Sequence, residues 1–422
     1  MNGKINIKKI MNNVGKNSLQ ASQQLRMVKT TRKNKALQLA SKKIRQNVKK
    51  ILKENSKDLF NAKRRNLKNS MIDRLELNKD RILSMQNSLE EIVNLEDPIG
   101  SILSKHKRPN GLIIKKIRVP IGIIGIIYES RPNVTVDAGA LCLKSGNACV
   151  LRGGTESYYS NKIIFSCLQE AIKESGLPTH TVQLIPTIDR RAVTYMLSQM
   201  TNIFDLVIPR GGKSLIKKIK KDSKVPILGH LEGICHVYVE KTAKISMAKK
   251  IVRNSKMRRT GICGAAETLL IDKACIKTHL KPITDELINA GCTIRGDNEI
   301  KKQDKRIKKA EENDWRTEYL DSILSIKSVN NTEEAVKHIT KYGSGHTETI
   351  ISEDNHAVNI FLKNIDSAIL MHNASTQFAD GNEFGKGAEI GISTSKIHAR
   401  GPIALEELTS FKYTIYGRGQ IR

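Results

Sequence analysis

An open α/β fold with parallel sheets, in more than one domain, is what this sequence predicts, and three observations predict it. At 422 residues the chain exceeds what one core of ordinary size serves. From residue 118 onward, strand-sized apolar runs alternate with amphipathic helical segments. Some of these runs, such as Ile121–Ile127, are apolar throughout, which suits strands covered on both faces. Strands separated by a helix each must pair in parallel, through right-handed crossovers.

The elements follow in order. Residues 1–100 are helical by period: Leu19, Leu25, Val28, Leu37, Leu39, Ile44, Val48, Ile51, Leu52 and Leu59 recur at three- and four-residue steps between charges. Asp97-Pro-Ile-Gly100 ends that region, and a basic strand, Gly111–Arg118, follows. The first α/β region reads as strand Val119–Tyr128, helix Thr135–Lys144, strand Ala148–Leu151, helix Ser157–Glu174, strand Thr181–Ile185, helix Asp189–Met200, strand Phe204–Ile208 and helix Lys213–Lys221. A second one runs from strand Cys235–Val239 through helix Ile245–Met257, strand Thr268–Ile271, helix Lys277–Ala290, strand Ser322–Ile326, helix Thr332–Ile339, strand Glu348–Ile351 and helix Asn355–Leu362. The charge run Lys301–Glu312 reads as a solvated excursion and Asp380–Gly391 as a glycine-dense loop. Phe411–Tyr416 reads as a last strand that could pair with a neighbouring subunit.

Composition removes several classes. The net charge of +30 would suit a nucleic-acid binder, but lysine is spread through nearly every segment and aromatics are only 4%, too few for base-stacking platforms. No nucleic-acid-binding signature accompanies the charge. No apolar run reaches the roughly 18 residues of a membrane span. The start, Met1–Ile10, lacks an apolar signal region and is rich in Lys and Asn, not Arg and Ser, so cytoplasm is the default. Seven cysteines, an odd number without a C-x-x-C pair, read as reduced thiols.

Three patterns mislead. Arg210-Gly-Gly-Lys-Ser214 ends like a phosphate-binding P-loop but has Val207 where that motif needs Gly. Gly385-Lys-Gly387-Ala-Glu-Ile-Gly391 is one residue too long for G-x-G-x-x-G. His230, Cys235 and His236 lack a metal-ligand spacing, so a structural role is expected for these histidines and no metal is expected. More telling are Gly211-Gly212 and Arg152-Gly153-Gly154, each after a strand, where backbone amides can approach an anion. Cys263 follows Arg258, Arg259 and a Thr-Gly turn and precedes Gly264-Ala-Ala266, a setting that would favour thiolate. On residues alone, a small buried side chain is an equal reading for it.

Longer strings carry a resemblance. Val119-Pro-Ile-Gly-Ile-Ile-Gly-Ile-Ile-Tyr-Glu-Ser-Arg-Pro-Asn-Val134, Lys144-Ser-Gly-Asn-Ala148, Asp205-Leu-Val-Ile-Pro-Arg-Gly-Gly212, Gly233-Ile-Cys-His236, Tyr342-Gly-Ser-Gly-His346, Asn373-Ala-Ser-Thr376 and Ser393-Thr-Ser-Lys-Ile-His-Ala-Arg-Gly-Pro402 resemble the gamma-glutamyl phosphate reductases, within the aldehyde dehydrogenase superfamily. The resemblance covers almost the whole chain. It implies an aldehyde-dehydrogenase-like fold of two open parallel α/β domains with a small oligomerisation element. The implied NADP-binding domain is 1–100 and 119–235, the catalytic domain 236–393, and the oligomerisation element 101–118 and 394–422. It implies Cys263 as nucleophile, Asn133 as oxyanion donor, and Arg152, Gly153, Gly154, Gly211, Gly212 and Glu318 as cofactor-binding residues. An Arg at 152 suits the 2′-phosphate of NADPH. Arg258, Arg259, His398 and Arg400 are candidates for substrate recognition.

The activity implied is NADPH-dependent reduction of L-glutamyl 5-phosphate to the semialdehyde through a cysteinyl thioester, in proline biosynthesis, by a homo-oligomer that glutamate 5-kinase could supply. Gly264 stands where many relatives have Asn. Glu232 matches the hydrolytic base of aldehyde dehydrogenases but is given no essential role. The alternatives are a hydrolytic aldehyde dehydrogenase and, from another class, a basic nucleic-acid-binding protein.

Overall fold

The computed structural model describes residues 6–422. The first five residues of the segment read above for targeting lie outside them. In chain order the helices and strands are α1 (Ile7–Leu25), α2 (Thr30–Gln46), α3 (Val48–Arg64), α4 (Asn69–Leu75), α5 (Lys79–Asn94), β1 (Ile102–Lys107), β2 (Ile113–Pro120), β3 (Ile123–Tyr128), α6 (Val134–Lys144), β4 (Ala148–Gly153), α7 (Tyr158–Glu174), β5 (Val182–Leu184), α8 (Arg191–Gln199), β6 (Leu206–Arg210) and α9 (Lys213–Asp222). There follow β7 (Cys235–Val239), α10 (Ile245–Met257), β8 (Ala266–Asp272), α11 (Lys281–Asn289), β9 (Thr293–Gly296), α12 (Asn298–Gln303), β10 (Lys308–Lys309), β11 (Ile323–Val329), α13 (Thr332–Tyr342), β12 (Thr347–Ile351), α14 (Asn355–Asn364), β13 (Ile369–His372), β14 (Gly391–Ser393), β15 (Gly401–Ile403) and β16 (Thr409–Tyr416).

The chain divides into two compact units. One holds the residues up to Gly229 with Gly385–Gly391 and Ile403–Arg422; the other holds His230–Phe384 and Ile392–Pro402. The switch falls at Gly229, not at 235. Of the segments 101–118 and 394–422, read above as an oligomerisation element, 101–118 and 403–422 pack within the first unit and 394–402 within the second.

In the first unit a parallel sheet has the order β5-β4-β3-β6. The order reverses at β3, so the crevice at the carboxyl ends of β3 and β6 is a topological switch point, where open α/β sheets take ligands. Ile123, Ile127, Val150 and Val207 form the core with Met11, Val14 and Leu25 of the long first helix. The expected strand Val119–Tyr128 is broken in two. Gly122 has φ +139°, and a Cβ there would lie 2.2 Å from the Asp205 carboxylate, which accepts the Ile123 amide. The break lets β2 leave for an antiparallel ribbon, β1-β2-β16, in which Thr409–Tyr416 pairs with Pro120–Ile113. The final strand thus finds its partner within its own chain, and its other edge borders the sheet.

The second unit is built on seven parallel strands in the order β10-β9-β11-β8-β7-β12-β13. Val237, Leu269, Ile326 and Leu287 centre one core layer; Tyr238, Leu270, Ile350 and Phe361 centre the other. The expected helix Lys277–Ala290 begins only at Lys281. Pro282 has no N–H to donate, so a wider turn over Ile276–Leu280 precedes it. The charge run 301–312 is not wholly solvated. It contributes strand β10 and the buried Ile307.

Beneath this sheet lies a fully buried ion pair. Lys256 Nζ on α10 donates to Glu267 Oε2 on β8 at 2.6 Å, and both side chains are 0% exposed. The other Glu267 oxygen accepts the Leu320 amide at 3.2 Å, where Leu320 has φ +51°. Burial raises the Glu267 carboxyl to about 7 against the pull of Lys256. The folded value is above the ordinary 4.5, so this group's stabilisation is present below 4.5 and is lost as pH rises through about 7. Lys256→Met removes the cation and pushes the carboxyl further up. In chemical denaturation at about pH 8 that variant should be less stable by about 3–5 kcal/mol, the cost of stranding a buried charge. The deficit should shrink as pH is lowered and Glu267 takes up a proton.

Candidate active site

The turn after α10 carries Cys263. Around it, the Cys263, His230 and His346 donor atoms all lie within 4.8 Å of one another. Three separate strand entries meet here: His230 precedes β7, Cys263 precedes β8, and His346 immediately precedes β12. The cluster therefore sits at the amino ends of its strands, opposite to the end a nucleotide would use.

Packing fixes the meeting. A Cβ on Gly233 would lie 2.1 Å from the Cys263 carbonyl oxygen, so only glycine allows the chain entering β7 to press against the thiol turn. The same carbonyl accepts Cys235 Sγ at 3.0 Å. The Gly233 amide donates to Glu318 Oε1 at 2.8 Å, and the Ile234 amide to Ser344 Oγ at 2.8 Å, which ties β7 to the turn before His346. The His230 and His346 rings stand edge to face with centroids 4.9 Å apart. His230 Nδ1 lies 2.6 Å from the Ile392 carbonyl, which can only accept, so Nδ1 carries a proton.

Cys263 is half-buried, and the other six cysteines are buried. Burial alone would push its thiol up, as it does for Cys235, Cys149 and Cys275. The His346 and His230 imidazoles overcome that and hold Cys263 well below the ordinary thiol range. Among the described cysteines Cys263 is thus set apart by two neighbouring imidazoles and access to solvent.

The histidine expectation divides. His236 is structural: fully buried, its Nδ1 meets Glu348 Oε2 at 2.9 Å. His230 is not merely structural, because it lines the thiol. Local spacing could not reveal this, since the three contributors lie at 230, 263 and 346. His346 was visible only as part of the Gly343-Ser-Gly-His turn.

Glu318 is half-buried with its carboxylate raised first by burial and then, through nearby charge, by Cys263 and Glu232. Arg258 and Arg259 are exposed. His398 is exposed, and Arg400 donates to the Asp366 carboxylate at 2.6 Å and to its carbonyl at 2.8 Å.

The first unit holds the other candidates. Arg152 is the penultimate residue of β4 and is buried; Nη2 donates to the Ile188 carbonyl at 2.9 Å, while Nε is buried without a hydrogen-bond partner. That orphaned donor fits an anion from outside the chain. Gly153 and Gly154 continue from it. At the switch point the Gly212 amide, opening α9, donates to Glu129 Oε2 at 3.1 Å, so a carboxylate already holds the helix N-terminus beside Gly211. Asn133 is exposed at the start of α6, and its amide donates to Asp137 Oδ2 at 2.9 Å. Burial raises Asp137 to about 6.

Two α/β units, one ending in a nucleotide-type crevice and the other presenting an activated thiol, define an oxidoreductase of the aldehyde dehydrogenase type. The model of the aldehyde dehydrogenase family matches residues 10–300. The chain belongs to that family and, within it, to the gamma-glutamyl phosphate reductases. A protein of that name from Parvibaculum lavamentivorans is 50% identical over 98% of this chain and 97% of its own. The crystal structure of gamma-glutamyl phosphate reductase from Thermotoga maritima superposes with a TM-score of 0.94 at 42% identity, covering 98% of this chain and 99% of that one. An engineered glycolyl-CoA reductase with bound NADP⁺, 14% identical with a TM-score of 0.69 over 96% of each chain, shares the fold. No described helix is long and apolar enough to cross a membrane.

Iodoacetamide at neutral pH should alkylate Cys263 ahead of the six buried thiols, as peptide mapping would record. Replacing both His230 and His346 by Ala should slow that reaction by about tenfold or more, one unit of thiol ionisation. An unchanged rate would show that the imidazoles do not activate the sulfur.

Proposed function

We propose that the chain reduces L-glutamyl 5-phosphate to L-glutamate 5-semialdehyde and phosphate, with NADPH as reductant, in the cytoplasm and in the service of proline synthesis. The observation that carries the chemistry is the Cys263 sulfur set between two imidazoles. The substrate follows the name of relatives that match over the full chain.

In this reading the Cys263 thiolate attacks the acyl carbon. The developing oxyanion takes the Cys263 backbone N–H and the Asn133 amide, which Asp137 orients through one of its two N–H bonds. The carbon–oxygen bond to phosphate breaks, phosphate leaves with the electron pair, and a thioester remains on Cys263. A bound reduced nicotinamide supplies hydride to the thioester carbon. The carbon–sulfur bond then breaks, the aldehyde departs and the thiolate is restored. Phosphate is a good leaving group, so no strong acid is required of the chain.

Arg152 would hold the 2′-phosphate, using its unpartnered Nε donor, with the Gly153-Gly154 and Gly211-Gly212 turns beside the rest of the nucleotide. Glu318, already braced on the Gly233 amide, would take the nicotinamide ribose. Arg258, Arg259, His398 and Arg400 remain candidates for the phosphate and α-carboxylate of the substrate. Self-association through the β1-β2-β16 sheet belongs to the same reading. β16 is a sheet edge with Phe411, Tyr413 and Ile415 exposed. Glutamate 5-kinase would be the source of the unstable acyl phosphate.

The test runs in reverse. Semialdehyde, inorganic phosphate and NADP⁺ should yield NADPH, followed by absorbance, and Cys263→Ala should lose about 10³-fold or more. Turnover that needs no phosphate would instead mark a hydrolytic aldehyde dehydrogenase. Arg152→Ser should raise the KM for NADPH by about 10- to 100-fold, the worth of about 1.5–3 kcal/mol for a charged hydrogen bond, and leave that for NADH little changed.

A further inference from the structure

We infer that Cys263, His230 and His346 also form a binding site for a thiophilic divalent cation of the zinc type, and that its occupancy reversibly silences the enzyme. The silencing, but not the binding, rests on Cys263 being the nucleophile proposed above. One thiolate and two imidazoles are the donor chemistry that zinc prefers. All three donor atoms already lie within 4.8 Å of one another. With zinc–sulfur and zinc–nitrogen bonds of roughly 2.0–2.3 Å, a tetrahedral set needs separations of roughly 3.3–3.8 Å, which is a side-chain adjustment of about 1 Å.

A second observation points to a ligand. His346 is 0% exposed, and its Nε2 is a buried polar atom without a hydrogen-bond partner. Its Nδ1 is already taken, 2.9 Å from Thr347 Oγ1 and 3.6 Å from Cys235 Sγ. His230 Nδ1 is held by the Ile392 carbonyl at 2.6 Å, so coordination at this ring would fall to Nε2. Both rings have the outer support that metal-binding imidazoles use, a second nitrogen pinned by a protein oxygen. Three protein donors leave the fourth position open, which makes for an exchangeable cation and not a permanent structural one. A thiolate bound in this way gives a lone pair to the cation and loses most of its nucleophilicity toward a carbonyl.

The whole chain, first treated with chelator, is titrated with Co²⁺ alone and then with Zn²⁺, without substrate or nucleotide. One equivalent of Co²⁺ should bring up a thiolate-to-cobalt charge-transfer band with tetrahedral visible bands, and Zn²⁺ should bleach them. NADP⁺-dependent activity should fall in step with occupancy and return with EDTA. His346→Asn and His230→Gln, checked for native circular dichroism, should each weaken Co²⁺ binding by at least about 10- to 100-fold, the loss that even a supporting group causes. Cobalt bound without the charge-transfer band, affinity unaltered in both folded variants, or activity undiminished at full occupancy would each overturn the inference. A chain that binds one cobalt through sulfur yet fails the semialdehyde assay would sink the proposed reaction and leave the site standing.

Discussion

The Cys263 carbonyl oxygen occupies the space where a side chain on residue 233 would begin, and the Cys263–His230–His346 cluster depends on that exclusion. Because Gly233 yields, the chain entering β7 can lie directly on the thiol turn. His230, three residues earlier, is thereby delivered to the sulfur, and the Gly233 amide meets Glu318. Ile234 then hooks Ser344, which fixes the turn that delivers His346. A single absent methyl group thus registers four chain segments against one another. The buried Lys256–Glu267 pair flanks the thiol turn in sequence and braces the backbone at Leu320, two residues beyond Glu318.

The two units use the same kind of sheet in opposite senses. In the first, the candidate groups gather at the carboxyl ends of parallel strands, in the glycine turns that follow β4 and β6. In the second, the reactive groups gather at the amino ends, where side chains from strand entries converge. In the proposed reading this placement gives most of the nucleotide contacts to the first set and the thiol chemistry to the second. It also explains why Cys263 differs from Cys235, only a few ångströms away through its hydrogen bond to the Cys263 carbonyl. Cys235 lies within the strand itself, fully buried, and its thiol is driven up.

Much of the fold was legible because hydrophobic period is a local property. α10 and β7 fall on the residues their pattern marks, and the alternation of strands and helices identifies parallel sheets. What was not legible turns on single residues or on long-range pairing. The break at Gly122 depends on Asp205, and the late start of α11 on Pro282. The short strands β9 and β13 are too brief to signal themselves between stronger neighbours. The site shows the same division. Cys263 and the glycine turns carry local signatures. The His230–His346 pair does not, since it exists only once β7 and β12 lie side by side, and each histidine on its own reads as an ordinary core residue.

The closing strand has a consequence for how the molecule is made. Arg118 on β2 donates to Thr409 Oγ1, 291 residues further along, and β2 pairs with β16 over its whole length. On the ribosome, β2 therefore emerges well before its partner exists, with the whole of β7 to β13 still to be synthesised. The first unit is begun before the second and completed after it. β2 can pair with β1 as it emerges, but its other edge must wait until Thr409–Tyr416 has been made.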